Sequence, residues 1–288
     1  MKISEILEKP SPSVSFEIFP PRQNAAFAPV VDVVRRLSLQ KPSFMSVTYG
    51  AAGSANANTI EIAKVVQDCG VTALAHLTCI SSSREKIGAE LAALKLAGVE
   101  NVLALRGDRP VGSGDIAGDY AHASDLVSEI RSAGGFSIGG ACYPECHPEC
   151  GHIEDDIRNI KLKVDAGLDF LTTQMFFDNN VYFHYLSRLR SAGVTVPVIA
   201  GIMPVTNSAQ IVRICALSGT YLPPRFRSIV DRFGDSPNQM LDAGIAYATE
   251  QIIDLFANGV NAVHVYTMNK PVVAERIMAN LGSMIREC

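Results

Sequence analysis

The 288-residue chain has no tryptophan, few charged residues and no long apolar segment. Charged residues make up 19% of the chain against 48% hydrophobic residues, which excludes a disordered protein. The formal net charge is −4 and no basic stripe is present, which argues against a nucleic-acid partner. The longest apolar stretch, Val194 to Val205, is broken by Thr195 and Pro197 and is too short to span a bilayer. We therefore expect a globular protein that binds neither nucleic acid nor membrane.

The chain also lacks a recognisable secretory signal, and its cysteine count is odd. The first residues, MKISEILEKPSPS, are mixed in charge and have no apolar core. Seven cysteines cannot all pair within one chain, and a chain of this size does not depend on a disulfide framework. We therefore expect free thiols in a reducing compartment, the cytoplasm.

A repeated unit dominates the sequence: an amphipathic stretch of helical length, a glycine, and a short apolar run that ends in a polar residue. The glycines that end the helical stretches are Gly70, Gly98, Gly134, Gly167, Gly193 and Gly259. The apolar runs predict eight strands: Val14–Phe19, Phe44–Tyr49, Ala73–Thr78, Val102–Arg106, Ser137–Cys142, Phe170–Gln174, Val198–Met203 and Ala262–Thr267. Most of these runs are continuously apolar, which is typical of parallel strands buried on both faces.

Eight strands that alternate with helices predict the α/β class and a single (β/α)8 TIM barrel over residues 1–288. The long interval before the last strand predicts extra helices between strands 7 and 8, around Pro223–Phe233 and Asn238–Ala257. A doubly wound open sheet is the alternative. Eight strands in one series are many for that fold, and no strand leads into a G-x-G-x-x-G phosphate loop.

In a (β/α)8 barrel the active site lies at the carboxyl ends of the strands. The residues at the ends of the apolar runs are Glu17, Thr48, Tyr49, His76, Arg106, Asp108, Tyr143, Gln174 and Tyr266. These residues are mostly polar, and they come from segments that are far apart in the chain. The pattern therefore predicts one polar site at the barrel mouth.

Glu17 is the most conspicuous member of this set because it lies inside an apolar run, between Phe16 and Ile18. Burial raises the pKa of a carboxyl group and suits it to act as a general acid near neutral pH. The alternative is a structural ion pair with Arg22 or Arg106, which is a common way to accommodate a buried acid.

Asp108 and His76 each allow two interpretations. Asp108 follows Gly107, and a glycine at a strand end lets another molecule approach the backbone closely, as a cofactor ring would. The alternative for Asp108 is a loop salt bridge. His76 ends its strand and is either a ligand contact or a core histidine with its hydrogen bonds satisfied.

The fifth strand leads into a segment rich in cysteine and histidine. Cys142, Cys146, Cys150 and His147 invite a metal site, since thiolates and imidazole bind zinc and iron–sulfur clusters. The spacing contains no C-x2-C pair, and no second cluster completes a ligand set. We therefore predict no metal, and expect Tyr143 and His147 to line a pocket.

The helix after this segment carries Asp156, Asn159 and Lys163 at i, i+3 and i+7, opposite its apolar stripe. By default such a face is a solvated surface. It becomes a ligand contact only if a large ligand lies over the barrel mouth.

Short motifs run in order along nearly the whole chain, from Ser15 to the segment around Lys270. They are SFE at 15–17 with FPPR at 19–22, SVTYG at 46–50, HLTC at 76–79, ALRGD at 104–108, YPE at 143–145 with HPE at 147–149, KVDAG at 163–167, TQ at 173–174 with FFD at 176–178, and YT at 266–267 with Asn269. Together they resemble the methylenetetrahydrofolate reductase family, in its short bacterial form.

The resemblance implies a (β/α)8 barrel that contains FAD and carries out a ping-pong reaction. NADH or NADPH would reduce the flavin and leave, and the flavin would then reduce methylenetetrahydrofolate to methyltetrahydrofolate, a step of one-carbon metabolism that supplies methionine. One site would accept both ligands in turn, which accounts for a nicotinamide enzyme without a Rossmann fingerprint. The resemblance also implies a homo-oligomer.

The resemblance assigns roles to individual residues. Glu17 would protonate the bridging nitrogen of the folate, and Asp108 would lie near the flavin pyrimidine and the pterin. The FAD-binding residues would be Thr48, Tyr49, Ala51, His76, Arg106, Gly107, Asp108, His122, Ala123, Tyr143, His147, Asp156, Asn159 and Lys163. The substrate-binding residues would be Glu17, Gln174, Gln210, Ile214, Tyr266 and Lys270.

Two departures from the family pattern keep alternatives open. Ile214 stands where relatives carry an aromatic residue, and Lys270 stands where an arginine can meet the folate tail. A second hypothesis is therefore a flavin- and folate-binding subunit that receives electrons from a protein partner. A third is an unrelated barrel lyase with a glutamate acid and no cofactor.

Overall fold

The computed structural model describes residues 1–21, 26–49, 56–108 and 118–285, and eight parallel strands in these ranges close into a barrel. The strands are β1 (Ser13–Ile18), β2 (Met45–Val47), β3 (Ala73–Thr78), β4 (Asn101–Leu105), β5 (Ser137–Cys142), β6 (Phe170–Thr173), β7 (Val198–Ile202) and β8 (Ala262–Val265). Each strand pairs in parallel with the next, and β8 pairs with β1. The prediction of a (β/α)8 barrel is confirmed, and the open-sheet alternative is wrong.

Helices surround the barrel in the described residues. They are α1 (Ile3–Leu7), α2 (Ala28–Ser38), α3 (Asn56–Asp68), α4 (Arg84–Leu96), α5 (Ala123–Ala133), α6 (Ile153–Asp165), α7 (Asn179–Ser191), α8 (Ser208–Ser218), α9 (Pro224–Phe233), α10 (Pro237–Ala257) and α11 (Pro271–Leu281), followed by a 3-10 turn at Gly282–Ile285. The predicted extra helices between strands 7 and 8 are present as α9 and α10. No helix in these parts of the chain combines the length and the apolar character needed to cross a membrane.

Glycines end the helices as the repeat predicts. The six predicted glycines all have positive φ, from 70° at Gly134 to 116° at Gly167. This backbone conformation strains residues that carry a Cβ atom, so glycine suits the turn that leads from each helix into the next strand. The regular spacing of these turns brings the ends of all eight strands to the same two faces of the barrel.

The lower end of the barrel interior is filled and closed by apolar side chains. Phe44, Leu74, Leu103 and the other members of this layer pack beneath α1, whose Ile3 and Ile6 cover them. The amide of Ile3 also donates to Asn101 Oδ1 at 2.7 Å. The sequence repeat did not predict α1, because five residues are too few to show a helical period. Closure at this end leaves the opposite, carboxyl end for ligands.

Gly201 in β7 makes room in the upper interior. A Cβ atom at this position would lie 2.3 Å from the Thr173 carbonyl oxygen and 2.7 Å from the Tyr266 hydroxyl. These distances are far below van der Waals contact, so glycine is required for the Tyr266 phenol to cross the interior toward β6. The fold therefore positions Tyr266 through the absence of a side chain on the neighbouring strand.

Candidate active site

Glu17 lies in the upper interior of the barrel, where β1 places its side chain toward the mouth. The residue is only 8% exposed, and its register partner on β2 is Ser46. Burial raises the pKa of the Glu17 carboxyl from 4.5 to about 8, so the group is mostly protonated at neutral pH. The prediction that Glu17 is buried and has a raised pKa is confirmed.

The proposed ion pair between Glu17 and Arg106 is wrong. Arg106 makes a bidentate pair with Glu149 instead, with nitrogen–oxygen distances of 2.8 and 2.6 Å. The fork geometry of the guanidinium matches both carboxylate oxygens, so the Arg106 side chain is bound to the β5–α6 loop and not to Glu17. The other suggested partner, Arg22, lies outside the described residues.

Tyr266 stands beside Glu17 at the end of β8. Its hydroxyl donates to the Thr173 carbonyl oxygen at 2.6 Å, which fixes the phenol across the barrel. Burial, and next the charge that Glu17 carries when ionised, raise the pKa of Tyr266. The Thr267 hydroxyl donates to the Glu17 carbonyl oxygen at 3.0 Å and ties β8 to β1. The predicted convergence of Glu17 and Tyr266 is therefore confirmed.

Asp108 lies on the β4 side of the mouth, where it is exposed. Its charge contributes to the raised pKa of Arg106, although the hydrogen bond to Glu149 is the largest cause. It also contributes, after burial, to the rise of the Tyr143 pKa to about 12. These effects place Asp108, Arg106 and Tyr143 close together. Gly107, between the two charged residues, has φ = 91°.

Tyr143 and His147 form an aromatic pair on the β5–α6 loop. Their ring centroids are 4.6 Å apart and the planes are nearly perpendicular, at 72°. His147 Nδ1 accepts from the Glu149 amide at 3.1 Å, so the proton of the neutral ring lies on Nε2. Burial lowers the pKa of His147 and favours this neutral form. The loop therefore presents a ring donor beside a tyrosine.

The polar face of α6 is not uniformly solvated. Asp156 is 5% exposed and accepts from the His147 amide at 3.1 Å, while Lys163 Nζ donates to the Ala141 carbonyl oxygen at 2.6 Å. Burial raises the pKa of Asp156 and lowers the pKa of Lys163. The solvated-surface interpretation is thus wrong for these two residues, whereas Asn159 is exposed.

His76 supplies a buried polar atom that the fold leaves unsatisfied. The residue is 8% exposed, and in the described part of the chain its Nε2 has no hydrogen-bond partner. Burial lowers the pKa of His76 to about 4, so the ring is neutral at pH 7. A buried polar atom without a partner is costly, which favours a ligand contact over a satisfied core histidine.

Of the remaining predicted cofactor residues, Thr48 and Tyr49 follow β2 directly, and His122 and Ala123 lie at the start of α5. The Tyr49 hydroxyl donates to Glu90 Oε1 on α4 at 3.1 Å, and the Thr48 carbonyl oxygen accepts from Thr59 at 3.0 Å. His122 is exposed immediately before α5, which begins at Ala123. Ala51 lies outside the described residues. Tyr49 thus points its hydroxyl at the helical layer.

The predicted substrate residues other than Glu17 and Tyr266 lie at the ends of β6 to β8. Gln174 follows β6, and its Oε1 accepts from the Met175 amide at 2.9 Å. On α8, Gln210 is exposed and Ile214 packs against an apolar cluster. Lys270 Nζ donates to Thr206 Oγ1 at 2.7 Å, which places this cation near the start of α8. These residues follow β6, β7 and β8 in the chain, on the side of the barrel that begins next to β5 and Tyr143.

The cysteines of the β5–α6 loop are bonded to backbone oxygens. Cys146 Sγ donates to the Cys150 carbonyl oxygen at 3.5 Å, and Cys150 Sγ donates to the His152 carbonyl oxygen at 3.4 Å. Cys142 is buried, and its thiol pKa is raised to about 12. Across the described ranges, no group of three or more His, Cys, Asp or Glu side chains could hold a metal ion.

Sequence reasoning missed several polar residues that support the site. Asn269 clamps the chain after β1, since it accepts from the Phe19 amide at 2.9 Å and donates to the Phe19 carbonyl oxygen at 2.8 Å. Ser15, Ser46 and His264 form a buried hydrogen-bonded group inside the barrel. Each of these three interrupts an apolar run, which is the same signal that singled out Glu17.

A sequence model of the family described as methylenetetrahydrofolate reductase matches residues 2–282. The chain belongs to this family. It is 35% identical to the 5,10-methylenetetrahydrofolate reductase of Escherichia coli, with 94% of this chain and 90% of that protein aligned. It is 34% identical to methylenetetrahydrofolate reductase (NADH) 1 of Arabidopsis thaliana. That alignment covers 98% of this chain but 50% of the plant protein, so the chain spans about half the length of this methylenetetrahydrofolate reductase.

Solved structures share the barrel at lower identity. A protein from Clostridium thermocellum, described as binding two copies of 5-methyl-5,6,7,8-tetrahydrofolic acid, superposes with a TM-score of 0.66. The match covers 97% of this chain and 99% of that one at 14% sequence identity. At this identity the similarity establishes the fold of this methylenetetrahydrofolate reductase family member and nothing more.

Proposed function

We propose that the chain is a cytoplasmic, homo-oligomeric methylenetetrahydrofolate reductase whose single catalytic domain, residues 1–288, uses FAD. In this proposal NADH or NADPH is the electron donor, and the two ligands occupy one site in turn by a ping-pong mechanism. The observation that carries the proposal is Glu17, a buried acid that keeps its proton at neutral pH inside the mouth of a barrel of this family.

The residues present fit a bound flavin. His76 Nε2 is buried without a partner in the described residues and would be satisfied by a polar ligand atom. Asp156 is buried and Lys163 half-buried near Tyr143 and His147, where a polar cofactor would receive donors and acceptors. Among the other predicted contacts, Arg106 and Asp108 supply charge at the rim. FAD, when bound, would supply the hydride chemistry that amino-acid side chains do not provide.

Glu17 would act on the folate. Its protonated carboxyl would donate to the bridging nitrogen of methylenetetrahydrofolate, and the bond from that nitrogen to the methylene carbon would break to open the five-membered ring. A pKa of about 8 makes the proton available at pH 7 while keeping its transfer feasible. Asp108, exposed at the mouth, would stabilise the resulting iminium cation.

The segments that follow β6, β7 and β8 would hold the rest of the folate and, in turn, the nicotinamide nucleotide. Gln174 would hydrogen-bond the pterin, and Lys270 would offer a positive charge to the anionic tail of the folate. Ile214 would contact the ligand through aliphatic packing, together with the exposed Gln210. The positions of these side chains at the ends of β6, β7 and β8 support this division of the mouth.

The visible spectrum of the purified protein, with and without added FAD, tests cofactor binding. We expect a flavin spectrum and oxidation of NADH or NADPH with menadione as acceptor. A flavin spectrum without turnover of either nucleotide would favour electron supply by a protein partner. A protein that stays colourless after incubation with FAD would favour the cofactor-free lyase and contradict the proposal.

Replacing Lys163 is expected to weaken FAD binding. The Lys163→Met variant loses a half-buried ammonium group, and a hydrogen bond to a charged group contributes about 1.5–3 kcal/mol. The dissociation constant for FAD, measured by fluorescence titration, should rise roughly 10- to 100-fold. Lys161→Met is the matched control, because Lys161 lies on the same helix and pairs with Asp165. Equal affinities of both variants would remove Lys163 from the site.

A further inference from the structure

His264 lies in the barrel interior one residue layer beneath Glu17. Its register partner on β1 is Ser15, two residues before Glu17, and the register partner of Glu17 on β2 is Ser46. Residues two apart on a strand point to the same face and are about 7 Å apart. His264 is 3% exposed. Any charge on its ring would therefore act on the Glu17 carboxyl from below, with little screening by water.

Two serine hydroxyls determine where the proton of this imidazole lies. Ser15 Oγ donates to the Val263 carbonyl oxygen at 3.1 Å and lies 2.7 Å from His264 Nδ1. Since the hydroxyl has only one proton, Ser15 accepts from Nδ1–H. Ser46 Oγ lies 3.0 Å from Nε2 and donates to it. The network thus assigns the neutral Nδ1–H tautomer, with both ring nitrogens satisfied.

Aromatic rings enclose the imidazole. Phe44 stacks on it with centroids 5.6 Å apart and planes 9° from parallel, and Tyr266 meets it edge-on at 5.5 Å. Burial, and next the nearby His76, lower the pKa of His264 to about 3. Tyr266 is also close to Glu17, because the charge of an ionised Glu17 raises the pKa of Tyr266. The imidazole therefore lies directly below Glu17 in the barrel interior and contacts the Tyr266 ring.

We propose that Ser15 and Ser46 hold the His264 imidazole in its neutral form, so that no positive charge forms beneath the protonated Glu17 carboxyl. The inference rests on the proposed role of Glu17 as an acid. A protonated imidazole in this position would stabilise the Glu17 carboxylate, and the acid would lose its proton before the substrate arrived. The serine pair disfavours this, because protonation at Nε2 would require the Ser46 hydroxyl to give up the bond that it donates and to accept one instead.

Two other ionisable groups that face this pair, His76 and Tyr266, are also uncharged at neutral pH. His76 approaches from β3, and burial lowers its pKa to about 4. Tyr266 approaches from β8, and its raised pKa keeps the phenol protonated. Arg106, the nearest cation suggested by the sequence, is paired with Glu149. Holding His264 neutral therefore leaves Glu17 without a counter-ion on this side.

Nitrogen-15 NMR of the full-length protein, labelled at histidine, tests the tautomer directly. The His264 signal is identified by its loss in His264→Gln. We expect a protonated Nδ1 and an unprotonated Nε2 that do not change between pH 5 and pH 8. Titration of His264 within this range, or a proton on Nε2, would overturn the proposal. The measurement needs no flavin or folate, so it can fail independently of the proposed enzymatic function.

Infrared difference spectra against Glu17→Gln then test the effect on the acid. The carboxyl band of protonated Glu17 should be lost with a midpoint near pH 8 in the wild type and in His264→Gln, which stays neutral. In His264→Lys the midpoint should fall by roughly 1–2 units, as expected for a cation about 7 Å away. An unchanged midpoint in a folded His264→Lys protein would contradict the proposal. If this variant does not fold, the NMR result on the wild type decides.

Discussion

Replacing Glu17 with glutamine is expected to slow folate reduction by orders of magnitude while leaving the flavin and its reduction by the nicotinamide intact. The glutamine amide fits the same space but cannot donate a proton to the bridging nitrogen of the folate. General acids contribute about 10²–10⁴-fold to a rate, so the folate half-reaction should slow by this factor. Stopped-flow absorbance of the flavin measures each half-reaction separately.

A matched control for this variant is Glu100→Gln. Glu100 pairs with the N-terminal amine at the closed end of the barrel, far from the mouth, and its replacement should leave both half-reactions unchanged. If Glu17→Gln reduced methylenetetrahydrofolate at the wild-type rate, Glu17 would not be the acid. If it lost the nicotinamide half-reaction as well, Glu17 would serve ligand binding in general.

The same substitution should make the protein more stable at neutral pH. The pKa of Glu17 is 4.5 when exposed and about 8 in the folded protein. Below pH 4.5 both states carry the proton and no difference arises. As pH rises from 4.5 to 8, the unfolded state loses the proton first, so the wild-type stability falls by up to roughly 3 kcal/mol at pH 7. Glutamine does not ionise, so the variant does not lose this stability as the pH rises.

Thermal unfolding of wild type and Glu17→Gln from pH 4 to pH 8 measures this linkage. The two proteins should melt together near pH 4, and the variant should melt several degrees higher at pH 7, for a gain of about 1–3 kcal/mol. Both should be measured with the same excess of FAD, since ligand binding shifts the melting temperature. A variant that is less stable at pH 7 would mean that ionised Glu17 has a favourable partner in the folded protein.

The sequence predicted the barrel and its acid because both depend on local patterns. Parallel strands buried on two faces give continuous apolar runs, and glycines mark the turns, so all eight strands were found. The exact ends were less predictable. The second strand was expected over Phe44–Tyr49 and is Met45–Val47, because Tyr49 leaves the barrel to bond Glu90 on α4.

Pairings between distant segments could not be predicted from these patterns. The partner of Arg106 is Glu149, which lies in the next βα loop and is brought near by the pairing of β4 with β5. Nothing in the sequence of α6 indicates that Asp156 and Lys163, on its polar face, turn toward β5 and the loop that follows it. The resemblance to a family placed these two residues at the cofactor, where composition alone favoured a surface.

An anaerobic experiment on the FAD-loaded protein tests the central claim most directly. NADH or NADPH is added first, and the flavin absorbance is expected to bleach. After the nucleotide is removed, methylenetetrahydrofolate is added, and the absorbance should return with the formation of one methyltetrahydrofolate per flavin. Flavin that bleaches but is not reoxidised by the folate, or a protein that binds no flavin, would contradict the account.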